Sequence, residues 1–425
     1  MNILKIISLL LFFFLSTSFL SVSFEANWRL ITYFFAIISF SFISIFIFIY
    51  KNKILNKSYF MIIKNYYYAV IISTFLGFLI IYIYDNSIYS FKEIDMYGRF
   101  FNLILYSILS WFIVSLSFYN QNFFNPRKIA FFYAFGCFLL ILTGYWQALS
   151  LYLGVGSFPF ETRSHAHSAV GSDYVIEGRL TGIASEPSFF VPFVLDFMIL
   201  SLIIFQKNLF KFIFFCIAAF VLFLSFSPSG YVSAIGSLVF PFLFIKNFKS
   251  KKYIYFLSSV LVLLTIFLIT MSHKLKNINY VLERLSNFGE DTRFLTIYET
   301  LNVFFSSNIL TILFGYGVTN FKFASMYTNY GEFETSNNIF ADVLVELGIV
   351  GLLFILTMFL KLYYLIRKSS VSVIQRFVCY ALFFDLLITG MVRADYASSR
   401  FFIIMTLIFL LANFDINKSI HKNEY

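Results

Sequence analysis

The sequence predicts an all-α polytopic integral membrane protein with about twelve transmembrane helices and two large loops on one face. Three observations predict it. Of 425 residues, 60% are hydrophobic and 12% charged, against about 25% charged in soluble chains. The apolar residues fall in runs of roughly 18 to 25, the length that crosses a bilayer. The lysines and arginines gather in alternate gaps between those runs. A formal charge of +10 would by itself suggest nucleic acid, but the basic residues lie in short loops beside apolar runs, which excludes that partner.

Backbone polar groups in lipid must be paired within their own element, so the runs are read as helices. They cover about 4–24, 29–50, 66–84, 100–119, 129–153, 187–206, 209–227, 230–246, 253–271, 338–361, 376–392 and 399–414. Lys5 before an apolar stretch has the outline of a signal peptide. However, the run continues to about Phe24 with no small-residue cleavage site, so a retained first span is expected. The three cysteines, at 137, 216 and 379, sit apart in apolar runs and form no CxxC pair, so neither a zinc site nor a disulfide framework is expected. No GxxxxGK[ST] loop occurs.

Charge sorts by side. One face carries 19 of the 31 basic residues, among them Lys51, Lys53, Arg127, Lys128, Lys251, Lys252, Arg367 and Lys368, with only Asp415 and Glu424 as acids. The other has 12 basic residues against 15 acids. Positive-inside puts both termini in the cytoplasm and makes the number of spans even. The chain reads as a single domain, 1–425, with far-face loops at about 154–186 and 272–337. Loops this long in a compact architecture are commonly functional or disordered. Within the second, Leu295, Tyr298, Leu301 and Phe305 recur at helical spacing, which predicts a helix lying on the membrane surface or over a cavity.

Three constellations could carry chemistry. The first is GRLTGIASEPS, 178–188. Pro187 suits the first turn of the next helix, placing Arg179 and Glu186 near a helix N-terminus, where backbone N–H groups and a guanidinium favour anions. An Arg179–Glu186 ion pair that only shapes the loop reads equally well. The second is Glu290-Asp291-Thr292-Arg293, followed by Leu313-Phe314-Gly315-Tyr316-Gly317, a turn signal. Arg293 there either binds an anion or joins a solvated charge cluster. The third is SNNIFADVLVELG, 336–348, with Asp342 and Glu346 four apart on one helix face. Acids within a span are expensive and face the protein interior or a wet cavity, so they pair with arginines or relay protons. Asp196 and Asp385 pose the same question singly. Arg393, Asp395 and Arg400 add charge at the mouth of the last two spans. His165 and His167 have metal-compatible spacing but no completing ligand nearby, and Arg163 beside them is a candidate phosphate or sugar contact.

In this order and on this topology, "GRLTGIASEPS", "TRF…LFGYG" and "SNNIFADVLVELGIVG" resemble the Wzy-type O-antigen polymerases and the related O-antigen ligase superfamily. The resemblance implies an inner-membrane, metal-independent glycosyltransferase with no cofactor and two large periplasmic loops. It implies transfer of glycan from undecaprenyl diphosphate to an acceptor hydroxyl, with the lipid bilayer as surroundings and a chain-length regulator as a candidate partner. Ligases typically carry His-Asn at the start of the span equivalent to 338–361. Here that position is Asn337, an amide that cannot act as a base at neutral pH, which favours the polymerase over the ligase.

Such a reaction needs the diphosphate held and its growing charge neutralised. Arg179 and Arg293 are the expected diphosphate residues, with Glu186 to take the hydroxyl proton. Arg163, Arg284, Asn337 and Tyr316 are the expected substrate contacts. A flippase or other transporter is the competing class, but it would show inverted repeats and broken helices in matching halves, and the sequence shows no such symmetry.

Overall fold

A computed structural model describes residues 3–50, 54–84, 98–160, 166–167, 175–176, 179–245, 292–325, 335–393 and 395–416. The elements are α1 (Ile3–Thr17), a 3-10 turn (Ser18–Val22), α2 (Ala26–Tyr50), α3 (Lys57–Tyr84), α4 (Gly98–Tyr119), α5 (Pro126–Leu153), β1 (Ala166–His167) and β2 (Val175–Ile176). They continue with α6 (Pro187–Ile204), α7 (Asn208–Leu224), α8 (Pro228–Phe244), α9 (Thr292–Ser306), α10 (Ile309–Phe314), α11 (Lys322–Ser325), α12 (Ile339–Lys368), α13 (Val373–Val392) and α14 (Ser399–Asn413). The two-residue strands pair antiparallel within the first long loop.

Eleven of the twelve expected runs form helices, and the run at 253–271 lies outside the described residues. Among the described residues, eight helices are long and apolar enough to cross a membrane: Ile3–Val22, α2, α3, α4, α5, α6, α12 and α13. α7, α8 and α14 are apolar but shorter, at 17, 17 and 15 residues.

Several boundaries differ from the sequence reading for local reasons. α1 stops at Thr17 and tightens into the 3-10 turn. There Thr17 Oγ1 donates to Phe13 O (2.7 Å), Ser18 Oγ to Leu15 O (2.8 Å) and Ser21 Oγ to Ser18 O (2.6 Å), competing with the helical ladder. α3 begins at Lys57, nine residues early. Its extra turns bury Tyr59, Ile62 and Ile63 on the helical face that continues at Tyr66, and Asn56 Oδ1 accepts the Tyr59 N–H at 2.8 Å.

α6 sits at the centre, buried almost all round and packed by α5, α7, α8 and α13. At the basic end of the bundle, long cationic side chains cap backbone carbonyls. Arg127 Nη2 donates to Ile204 O at 2.6 Å and Lys361 Nζ to Met61 O at 2.7 Å.

The opposite, loop-bearing end is organised by a break in α12. Gly348 adopts φ 69° and ψ −173° there, which interrupts the ladder. The turn Gly315–Gly317 fills the gap: Tyr316 N–H donates to Val345 O (3.0 Å) and Gly317 N–H to Glu346 O (2.8 Å). From α3, Ser73 Oγ reaches Leu347 O at 3.2 Å. The carbonyls freed by the break are thus re-paired inside protein, as a low-dielectric setting requires. The approach is backbone to backbone. A Cβ on Gly348 would overlap the Leu313 carbonyl, one on Gly315 the Glu346 carbonyl, and one on Gly77 the Tyr316 carbonyl.

The expected amphipathic helix forms as α9, with its faces partly redrawn. Thr300 and Phe304 turn inward, with Phe304 packing on Tyr316, Phe321, Phe323 and Val345 and Leu301 against that cluster. Tyr298 and Phe305, the other large members of the apolar stripe, are exposed, as a helix on the membrane surface allows.

Candidate functional site

The stretch from Arg179 to Ala184 is buried and threaded into the bundle. Gln147 on α5 accepts both the Thr181 and Gly182 N–H groups on one amide oxygen, at 2.7 and 2.8 Å. Leu180 N–H donates to Leu224 O, Ser185 N–H to Val22 O, and Phe24 N–H to Ile183 O. Gly182 takes φ 54°, and a Cβ there would press on Thr143 Oγ1. The chain therefore enters α6 from a fixed direction. Arg179 is only 7% exposed, and its charge reaches Tyr231 of α8.

Pro187 occupies the first helical position of α6, as its missing N–H favours, and Glu186 is the N-cap by backbone conformation. The Glu186 carboxylate does not cap the helix. It is half-buried and accepts the Ser188 hydroxyl at 3.3 Å. Above the same turn lies Arg393, its guanidinium 4.1 Å from the Phe189 ring centroid. Arg393 Nη2 stands 3.4 Å from Asp395 Oδ1. Burial pulls the Arg393 guanidinium below its ordinary pKa, Asp395 pushes it back up, and Glu186 adds to that.

Arg400, expected as a cation at the mouth, is instead 1% exposed and saturated. Its Nε and Nη2 grip Asp196 at 2.7 and 3.1 Å, Nη2 also pairs with Asp385, and Nη1 donates to Thr389 Oγ1 at 3.3 Å. Tyr133 OH gives Asp196 a further donor at 2.6 Å. The two single acids of α6 and α13 are thus partners of one arginine on α14. The physical reason is cost, because an arginine inside the bundle is tolerated only when neutralised.

The acids of α12 pair as the sequence allows, with an arginine it did not single out. Arg99 Nη1 lies 2.6 Å from Glu346 Oε1 and 3.4 Å from Asp342 Oδ2. Tyr396 OH donates to the other Glu346 oxygen, and the Arg99 guanidinium lies 5.7 Å from the Tyr396 ring centroid. Asp342 also accepts Thr335 Oγ1 (2.5 Å) and the Ser336 N–H (2.8 Å). The available signal was a lone arginine in the first turn of a span on the same face as an i, i+4 acid pair.

Asn337, at φ 59°, occupies the left-handed region that Asn tolerates, with its N–H on Thr335 Oγ1 at 3.1 Å. Asn338 caps α12 and donates to Met391 O at 3.1 Å, which ties the start of α12 to the end of α13, two residues before Arg393. Glu186 and Asn337 therefore flank the Arg393 end of α13, while Tyr316 is buried in the α12 break. Arg163, His165, Arg284, Glu290 and Asp291 lie outside the described residues, and His167 and Arg293 are described by backbone alone, Arg293 in the first turn of α9.

No curated protein matches the chain. Residues 212–356 match the family model Wzy_C, described as O-Antigen ligase. That span runs from α7 through the second long loop to the broken half of α12, and so includes the Gly-Tyr-Gly turn and the Asp342–Glu346 pair. The chain is thus a multi-pass membrane protein whose residues 212–356 are similar to the O-antigen ligase family, consistent with the O-antigen ligase/polymerase superfamily.

Proposed function

We propose that this protein is a bacterial surface-polysaccharide polymerase of the Wzy type. In this reading it transfers glycan from an undecaprenyl-diphosphate donor to a hydroxyl of another lipid-linked repeat unit. It is a single-domain protein of the inner membrane with both termini cytoplasmic and the loop-bearing end periplasmic. The observation that carries the reading is the rigid entry to α6, which holds Arg179 and Glu186 at the loop-bearing end of a chain whose residues 212–356 match the O-Antigen ligase family model.

The chemistry is a substitution at the anomeric carbon. The acceptor oxygen forms the new bond, the bond to diphosphate breaks, and its electron pair leaves with the diphosphate. Arg179 and Arg293 take the diphosphate charge without a metal or cofactor, with Arg163 and Arg284 as flanking contacts. Glu186 takes the proton and Asn337 orients sugar, while Tyr316, expected as a substrate contact, is instead packed into the α12 break. Removing one preorganised cationic donor commonly costs ~3–4 kcal/mol, or about 10²–10³ in rate. Arg179→Ala and Arg293→Ala should each lose that much polymerisation at normal expression; wild-type rates in both would sink the assignment.

The ligase is the second reading, favoured by the description of the matching family model. Asn337 at the ligase histidine position weighs against it. Mass spectrometry of lipid-linked glycans in a deletion strain separates the two. Single repeat units on undecaprenyl diphosphate, with one unit reaching the surface, identify the polymerase. Full-length polymer stranded on the lipid identifies the ligase. An unchanged pool and surface removes both and favours a transporter.

A further inference from the structure

Arg393, packed over the first turn of α6, combines near-complete burial with an open donor. The residue is 9% exposed, and its Nη1 is buried without a hydrogen-bond partner among the described residues. Its other contacts fix it: the Phe189 ring beneath and Asp395 at 3.4 Å. Asp395 is anchored in turn, with Oδ2 3.6 Å from Arg400 Nη1. A buried donor left open while the rest of the group is clamped calls for an acceptor that arrives with a ligand.

Local charge decides what kind of ligand. Arg393 and Arg400 face Asp196, Asp385, Asp395 and Glu186, two cations against four acids. Even with one buried acid protonated the neighbourhood is not positive, so a diphosphate here would meet net repulsion. A neutral hydroxyl meets none. It offers a lone pair to a donor and a proton to an acceptor, and one turn of α6 presents both types of partner: the Arg393 guanidinium over Phe189 and the Glu186 carboxylate three residues earlier. Asn337 stands close by, through the Asn338–Met391 bond.

We propose that Arg393 and Glu186 form the subsite for the acceptor's sugar hydroxyl, with Nη1 donating to the hydroxyl oxygen and the carboxylate receiving its proton. This rests on the glycosyl-transfer reading above. It separates the site into two parts: Arg179 and Arg293 serve the donor's diphosphate, and Arg393 serves the acceptor.

The test uses the purified full chain in proteoliposomes with saturating undecaprenyl-diphosphate-linked repeat unit as donor. A soluble glycoside of one repeat unit serves as acceptor, so the two substrates can be varied apart. Arg393→Gln should raise the acceptor KM by about tenfold or more, the weight of a hydrogen bond to a charged group. Binding of sugar-free undecaprenyl diphosphate, followed by thermal shift, should stay within about twofold. Arg393→Lys keeps the charge but not the planar fork and should fall between wild type and Arg393→Gln; it also serves as the test if the Gln variant does not fold. Weakened undecaprenyl-diphosphate binding with an unchanged acceptor KM would overturn the proposal and make Arg393 a donor contact. An unchanged KM with only a lower melting temperature would reduce Arg393 to a brace holding water at Nη1. If the wild-type protein transfers no glycan, the polymerase reading fails first and this inference falls with it.

Discussion

Arg400 and Arg393 lie on either side of Asp395, seven residues apart, and the bundle treats them in opposite ways. Arg400 is enclosed by α6, α13 and α14, with its nitrogens directed at Asp196, Asp385, Thr389 and Asp395. Arg393, the residue that ends α13, is clamped by a ring and one carboxylate and keeps a donor in reserve. Arg400 holds three helices together, and the open Arg393 donor is the one the acceptor subsite proposed above would use.

Four substitutions would break or sharpen that contrast. Arg400→Ala has the largest expected effect. It leaves Asp196 and Asp385 buried without their cation, at about 3–5 kcal/mol, and should prevent recovery of monodisperse protein in detergent. Gly348→Val comes next, at roughly 2–4 kcal/mol, because it combines a strained positive φ with overlap on the Leu313 carbonyl. Its melting temperature should fall clearly; an unchanged value would mean that α12 can close its break. Gln147→Ala takes away the shared acceptor of the Thr181 and Gly182 N–H groups, at roughly 1–3 kcal/mol in all because water can enter the space left. Polymerisation should fall with it, since the Arg179 loop loses its support. Tyr133→Phe removes one of three donors to Asp196, about 1 kcal/mol, and should leave activity near wild type. Arg393→Gln belongs below all of these in its effect on stability. If it destabilised as much as Arg400→Ala, the distinction between brace and open donor would collapse.

The membrane architecture was legible because its cause is local. Apolar length and basic flanks report directly on lipid, so the expected helices form wherever the structure describes them. Pro187 starting α6 and the helix over Thr292–Ser306 were equally local signals. What escaped was set by tertiary contact. Arg400 sits beside a span end, where sequence reads a mouth, yet acids from two other helices draw it inside. Arg99 is an ordinary flanking arginine until α12 brings Glu346 to it. Gly348 looks like one glycine in a span; only the Gly-Tyr-Gly turn more than thirty residues earlier explains its positive φ. Burial of the Arg179 loop depends on Gln147 and Thr143, two polar residues one turn apart in a largely apolar run.

The seat of the Gly-Tyr-Gly turn carries one more consequence. Main-chain atoms make its bonds to Val345 and Glu346, and the three glycines at 77, 315 and 348 contribute only the absence of a side chain. Such a joint reads spacing and ignores most side-chain chemistry. Exchanging Leu313 or Phe314 for other apolar residues should pass almost unnoticed, whereas deleting or inserting a single residue between 315 and 317 would slide both bonds out of step. Vulnerability here lies in counting: one codon gained or lost at the turn should do more harm than most substitutions across the long loop that leads to it.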